Sequence, residues 1–205
     1  MTCKWKTTLI GPALWMAGIP LWAEPAEIRV RLQVYVRVSP SVLHEAKEVA
    51  SFVLEKAGVR LLWAECPTRQ EEPSKDAVCL LPVTPRDLQV RIVGKVMAKR
   101  ANKRSECMGF AVVAGEFSSI ANAYYHRADE LAAGNMAGRG AILGGIVAHE
   151  VGHLLGVTGH SSQGLMRALW DDHDLKTLAK GNLWFGREEA RRVAESAARR
   201  NTARD

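Results

Sequence analysis

The chain has 205 residues and a formal net charge of +6, with 28 lysines and arginines against 22 acidic residues. Much of the positive charge lies near the C-terminus in R-E-E-A-R-R-V-A-E-S-A-A-R-R, where arginine and glutamate alternate as they do on a solvated helix. A nucleic-acid-binding protein needs a basic face interleaved with aromatic side chains, so we expect no nucleic-acid partner. The length suits one domain with a core of its own.

The first 23 residues have the three parts of a secretory signal peptide. M-T-C-K-W-K is basic, T-T-L-I-G-P-A-L-W-M-A-G-I-P-L-W-A is apolar, and Ala23 is a small residue for cleavage. The apolar run contains prolines and is too short for a permanent span, so we expect no stable membrane anchor. Cleavage after Ala26 is the alternative. The sequence therefore predicts a signal peptide over 1–23, a secreted or periplasmic location, and a single, monomeric domain over 24–205.

Strands and helices follow in a mixed order. Residues 28–38 alternate apolar and polar side chains, as a half-buried strand does. Ser39 and Pro40 open a helix with apolar residues at helical spacing, and Gly58 ends it. Glycine and serines suit a hairpin-like turn between the last two strands. The further strands are predicted at 59–64, 88–93, 108–113 and 120–125.

Three cysteines remain after removal of the signal peptide. Cys66 and Cys79 could close the polar segment between two predicted strands, and the chain entropy lost by the unfolded state would be worth about 3 kcal/mol. Cys107 would then remain a free thiol. Other pairings stay open, because Cys107 could replace one partner or pair between chains, and its ordinary role is that of a small buried hydrophobe.

Two histidines and a glutamate share a predicted helix over 138–155, a segment that is long, apolar and free of proline. His149 and His153 stand one above the other at positions i and i+4, so two imidazole nitrogens can reach one ion. Glu150 lies beside that ion. A carboxylate there can take a proton from a water that the metal activates, which is how H-E-x-x-H serves hydrolysis. Zinc is the expected metal.

A third ligand has to come from outside the helix, since catalytic zinc takes three protein ligands and keeps one position open for water. Gly156 and Gly159 follow His153, where a chain that leaves a helix sharply needs residues tolerant of positive φ. The turn that they permit presents His160, which we favour as the third ligand. The alternatives that remain open are Asp171, Asp172, Asp174, His126 and His173.

The full pattern, with the tight turn G-L-M that carries Met166, resembles the motif of the metzincin metallopeptidases, H-E-x-x-H-x-x-G-x-x-H followed by a methionine-bearing turn. His160 stands one residue later than the family's third histidine, a place that Gly159 takes here. The stretch through Arg167 and Trp170 is similar to small secreted bacterial proteins with the same longer loop. The resemblance implies that Met166 lies beneath the metal without coordinating it.

The resemblance also implies a fold and an activity. The fold is α+β: a twisted mixed β-sheet with two or three main helices, in which an edge strand such as 108–113 pairs with an extended substrate. The implied activity is that of a secreted zinc endopeptidase acting on a peptide or protein, with Glu150 passing the proton to the leaving amine. The alternatives are a zinc-binding, non-hydrolytic exported interaction domain, which the retained Glu150 argues against, and a structural protein whose histidines are incidental.

Overall fold

Five strands form one mixed sheet in the computed structural model, which describes residues 24–69, 73–74, 76–100, 106–113, 117 and 119–203. The strand order is β2-β1-β3-β5-β4, and β4 runs antiparallel to β5 while the other pairs are parallel. The predicted twisted mixed sheet is therefore confirmed, and β4 lies at one of its edges. The strands are β1 (Ala26–Val34), β2 (Val59–Glu65), β3 (Asp87–Val93), β4 (Gly109–Val112) and β5 (Ile120–Tyr124).

Within the described part of the chain, six helices accompany the sheet, and three of them are long, in agreement with the prediction of two or three main helices. The long ones are α1 (Pro40–Lys56), α4 (Arg139–Leu154) and α6 (Arg187–Thr202), and the short ones are α2 (Lys95–Arg100), α3 (Tyr125–Ala132) and α5 (Asp172–Ala179). The start of α1 agrees with the sequence, because the Ser39 hydroxyl accepts a hydrogen bond from the Val42 N–H and Pro40 follows it. A single 3₁₀ turn lies at Ala77–Leu80.

The first strand ends earlier than its residue pattern predicts. Apolar and polar residues alternate up to residue 38, but β1 ends at Val34. Its neighbours stop there: Leu32 is paired with Glu65, the last residue of β2, and Val34 with Ile92 near the end of β3. Beyond the ends of β2 and β3, β1 has no neighbouring strand with which to form backbone hydrogen bonds. The alternation of side chains therefore cannot extend the strand by itself.

The central helix α4 is enclosed on nearly all sides, as is typical of a helix that is apolar all round. It packs against α1, and Gly144 permits the close approach, since a Cβ there would lie 2.6 Å from the Ala46 carbonyl oxygen. Other sides of α4 meet β4, β5 and the chain after the helix. The site residues of α4 are therefore held by a rigid, buried element.

The opposite face of the sheet is covered in part by the chain segment that contains the Cys66–Cys79 disulfide, which the structure forms. Arg31, buried on β1, donates to the carbonyl oxygen of Leu81 at 2.7 Å and to Asp87 at 3.0 Å. Burial raises the pKa of Asp87, but its hydrogen bonds, the one from Arg31 first, outweigh this effect and hold the pKa below its usual value. The arginine thus fastens this segment to the sheet.

The predicted signal peptide, residues 1–23, lies outside the described residues. In the part of the chain that the structure describes, no helix is both long enough and apolar enough to cross a membrane.

Candidate metal centre

His149 and His153 present their Nε2 atoms to each other from successive turns of α4, 3.2 Å apart. The Nδ1 atoms of both rings lie at backbone carbonyl oxygens, 2.9 Å from that of Leu165 and 2.8 Å from that of Val157. A carbonyl only accepts hydrogen bonds, so each Nδ1 carries the proton and each Nε2 keeps its lone pair. Two lone pairs therefore face the same point, which is the arrangement of two imidazoles that share an ion.

The end of α4 supplies one of those carbonyls. Gly156 has φ +91°, the positive value expected from its place after the helix. Its N–H bonds to the carbonyl of His153, and the N–H of Val157 bonds to the carbonyl of Gly152, which together make a Schellman motif. The turn brings the Val157 carbonyl oxygen beside the second histidine. The glycine that stops the helix therefore also orients a ring at the site.

His160 lies beside the other two imidazoles. Gly159 has φ +79°, and the chain turns there so that the His160 ring centroid is 5.3 Å from that of His149 and 5.1 Å from that of His153. The candidate ligand atoms of the three residues all lie within 4.8 Å of one another. The extra residue in the loop, compared with the metzincin pattern, does not carry this histidine away from the site.

Among the described residues, the three histidines form the cluster of at least three metal-ligating side chains. None of the alternative third ligands belongs to it. The Asp171 carboxylate accepts from the N–H groups at the start of α5, and Asp174 is buried in an ion pair with Arg167. His126 stacks on Tyr124 at 5.8 Å. Asp172 and His173 are exposed on the first turn of α5.

Met166 is fully buried at the turn below the histidines. Gly164, with φ +77°, begins the turn, and its carbonyl accepts from the Arg167 N–H. The Leu165 carbonyl accepts hydrogen bonds from His149 Nδ1 and from Trp170 Nε1, the latter at 3.1 Å. The turn thus does more than place a methionine, because its backbone also sets the tautomer of a candidate ligand.

Glu150 is only 3% exposed, and its Oε2 has no hydrogen-bond partner among the described residues. Burial raises the pKa of this carboxyl to about 8. A buried oxygen without a partner is costly unless something else bonds to it. The carboxyl therefore keeps hydrogen-bonding capacity for a group that enters the site.

Gly109 on β4 makes room for that carboxyl. A Cβ at this position would lie 2.5 Å from Glu150 Oε1 and 2.5 Å from the carbonyl oxygen of Asn122. Gly109 was not among the predicted site residues. A lone glycine inside a predicted strand is nevertheless a signal of close approach by another group, and that signal was present in M-G-F-A-V-V.

The pKa values of the buried His149 and the half-buried His153 favour the neutral imidazole that binds metals. Burial, followed by the neighbouring His153, lowers the pKa of His149 to about 3, and its bond to Leu165 opposes this effect. The pKa of His153 is also lowered, mainly by burial, while the bond to Val157 and the charge of Glu189 oppose the change. Both rings are therefore free of an Nε2 proton at neutral pH.

A cleft of about 470 Å³ opens above these residues. The edge strand β4 forms one wall, Ala168 and Leu169 after the turn form another, and the three histidines and Glu150 lie at its base. Most other lining residues are apolar, and the half-buried free thiol of Cys107 is among them. The cleft therefore brings three imidazoles and a carboxyl group together beside an edge strand.

Comparison with known proteins supports the fold. No protein-family model matches the chain, and no curated protein matches it. Among solved structures it is similar to the crystal structure of archaemetzincin from Methanopyrus kandleri, with a TM-score of 0.50 and 16% identity over 86% of this chain and 98% of that one. The fold is thus similar to that of a protein named for the family whose motif the sequence resembles.

Proposed function

We propose that this chain is a secreted zinc-dependent endopeptidase. The observation that supports it most is the convergence of three imidazoles, two with their Nδ1 protons held by backbone carbonyls, beside a buried carboxylate whose Oε2 has no partner among the described residues. The archaemetzincin-like fold agrees with this proposal. Secretion rests on the predicted signal peptide, and the disulfide suits an oxidising compartment.

The residues present fit zinc. Zinc–nitrogen bonds of about 2.0–2.1 Å in a tetrahedral site place two ligand nitrogens about 3.3 Å apart, and the His149 and His153 nitrogens are 3.2 Å apart. His149, His153 and His160 would hold the ion. Bound zinc supplies a Lewis acid for the scissile carbonyl and lowers the pKa of a water molecule.

The chain's own residues perform the remaining steps. Glu150 accepts the proton of the attacking water at its carboxylate and delivers that proton to the leaving amine. The edge of β4 away from β5 has no strand partner among the described residues, and it would bind an extended peptide through backbone hydrogen bonds. The buried base of the cleft keeps other water away from the carboxylate. No nucleophilic serine or cysteine is needed.

The first experiment compares wild type with Glu150→Ala. The purified protein is assayed for bound zinc and for cleavage of a mixture of fluorescence-quenched peptides. We expect about one zinc per chain in both proteins and turnover only in wild type, because the glutamate moves protons and does not hold the ion. Bound zinc without turnover in wild type would leave the non-hydrolytic interaction domain, and equal turnover in the two proteins would remove Glu150 from the mechanism. Absence of zinc from wild type would refute both the peptidase and the zinc-binding domain.

The second experiment tests the third ligand. We expect His160→Ala to lower zinc affinity by at least about 100-fold, since loss of a ligand costs more than loss of a ligand's hydrogen-bond partner, which costs about 10–100-fold. Asp172→Ala is the matched control, because this side chain is exposed a few residues after the turn. Asp171→Ala and Asp174→Ala are expected to bind zinc as wild type does. Loss of zinc affinity in one of these aspartate variants, with His160→Ala unaffected, would assign the third ligand to a carboxylate.

A further inference from the structure

A carboxylate from the last helix is bonded to the loop that carries His160. The Ser161 hydroxyl donates a hydrogen bond to Glu189 Oε1, and the other oxygen of the same carboxylate accepts the N–H of Gly186 at 2.6 Å. We refer to these two bonds as the α6 brace. Both Ser161 and Glu189 are half-buried. The bond thus joins the residue next to the candidate third ligand to the first turn of α6.

The other hydrogen bonds from this loop to the rest of the fold lie at its two ends, where the Val157 carbonyl accepts from His153 and the Leu165 N–H donates to the Trp184 carbonyl. Between the end of α4 and Met166 the backbone passes through positive φ at Gly156, Gly159 and Gly164. The Ser161 N–H bonds to the Met166 carbonyl at 2.9 Å, which closes the loop on itself without joining it to another element. His160 is itself exposed, whereas His149 is buried within α4. The third imidazole is therefore the ligand whose position depends most on its loop.

We propose that Glu189 is a positioning residue for the metal centre: through Ser161 it holds His160 in the ligating position, and so it sets the affinity of the site for zinc. This inference rests on the proposed function, because it assumes that the three histidines bind zinc.

Substitutions separate the parts of the brace. Ser161→Ala removes the bond to the loop and leaves the bond between Glu189 and Gly186 intact. Glu189→Ala removes both bonds. Glu189→Gln retains both, because its amide oxygen can accept from the Gly186 N–H while its NH₂ group donates to the Ser161 oxygen. Glu188→Ala is the matched control, since this exposed glutamate of the same helical turn pairs with Arg191 and Arg192.

Zinc affinity is measured by competition with a chromophoric chelator, and the visible spectrum of the cobalt(II)-substituted protein reports the coordination. We expect zinc to bind roughly 10-fold more weakly to Ser161→Ala and to Glu189→Ala, as is usual when a partner of a ligand is lost. Glu189→Gln and Glu188→Ala should stay within about twofold of wild type. The cobalt spectrum should change in the two weakened variants and in no other.

A double-mutant cycle with His160→Ala tests the route of action. If Glu189 acts through His160, Glu189→Ala weakens zinc binding by less in the His160→Ala background than in wild type. Equal losses in the two backgrounds, or wild-type affinity in Ser161→Ala and Glu189→Ala, would overturn the inference while leaving the zinc site in place. Wild-type protein that binds no zinc would instead reject the proposed function itself.

Discussion

One added methyl group at Gly109 tests the role of Glu150 without changing any charged residue. A Cβ there would lie 2.5 Å from Glu150 Oε1 and 2.5 Å from the carbonyl oxygen of Asn122. Ordinary carbon–oxygen contact is about 3.4 Å, so Gly109→Ala makes each contact roughly 0.9 Å too short. The Asn122 oxygen belongs to the backbone of the neighbouring strand. The carboxyl group must therefore shift, and β4 must also move away from the Asn122 carbonyl oxygen.

A shift of about 1 Å in a catalytic group can cost on the order of 100-fold in rate, and we expect kcat/KM of Gly109→Ala to fall by about that factor. Zinc affinity should stay within about threefold of wild type, because the substitution touches none of the three histidines. The extra methyl group should also lower the free energy of unfolding by about 1–3 kcal/mol, as overpacking does.

The assay combines peptide cleavage, zinc competition and thermal unfolding. Gly94→Ala serves as the control, since a Cβ at Gly94 would meet Val36 at 3.5 Å, an ordinary contact. It should retain wild-type kcat/KM. A Gly109→Ala protein that is folded, loaded with zinc and as active as wild type would refute the reasoning, because the Glu150 carboxylate would then not act from the position described.

Three further predictions concern pH, the disulfide and the end of α4. Burial raises the pKa of Glu150 to about 8 and lowers that of His149 to about 3. In zinc-free protein between about pH 6.5 and 8, the folded chain keeps a carboxyl proton that the unfolded chain has released, so the free energy of unfolding falls by about 2 kcal/mol as the pH rises. Glu150→Gln should abolish this fall in urea titrations, and an unchanged slope would contradict the assignment. Below about pH 6.5 His149 acts in the opposite sense, because the unfolded chain gains a proton there that the buried ring does not. Replacing Cys66 and Cys79 together by alanine should lower the free energy of unfolding by about 3 kcal/mol, measured by urea unfolding, and a loss below about 1 kcal/mol would count against the entropic account. Gly156→Ala should lower stability by about 1–2 kcal/mol because φ is positive there, and zinc affinity by roughly 10-fold. Unchanged zinc affinity would show that the turn does not orient its histidine.

Local rules in the sequence predicted most of the elements. The strands β2 to β5 and the helices α1 and α4 were predicted with ends close to those observed. The short helices α2, α3 and α5 were missed. α3 has no capping side chain to mark where it begins, and Asp171, which caps α5, was considered only as a possible metal ligand. Residues 120–125 were predicted as strand throughout, but Tyr125 already belongs to α3. The end of β1 was also missed, since it depends on where its partner strands stop.

The sequence alone also determined the separation of His149 and His153, because residues four apart on a helix lie about one turn apart. It determined as well where the chain leaves that helix, because only a glycine adopts positive φ at little cost. Tertiary structure decided the rest. It placed β4 at the sheet edge, Gly109 against Glu150, the Leu165 carbonyl beneath His149 and Glu189 beside the third histidine's loop. These contacts join residues far apart in the chain, and neither periodicity nor turn chemistry reports on distances of that kind.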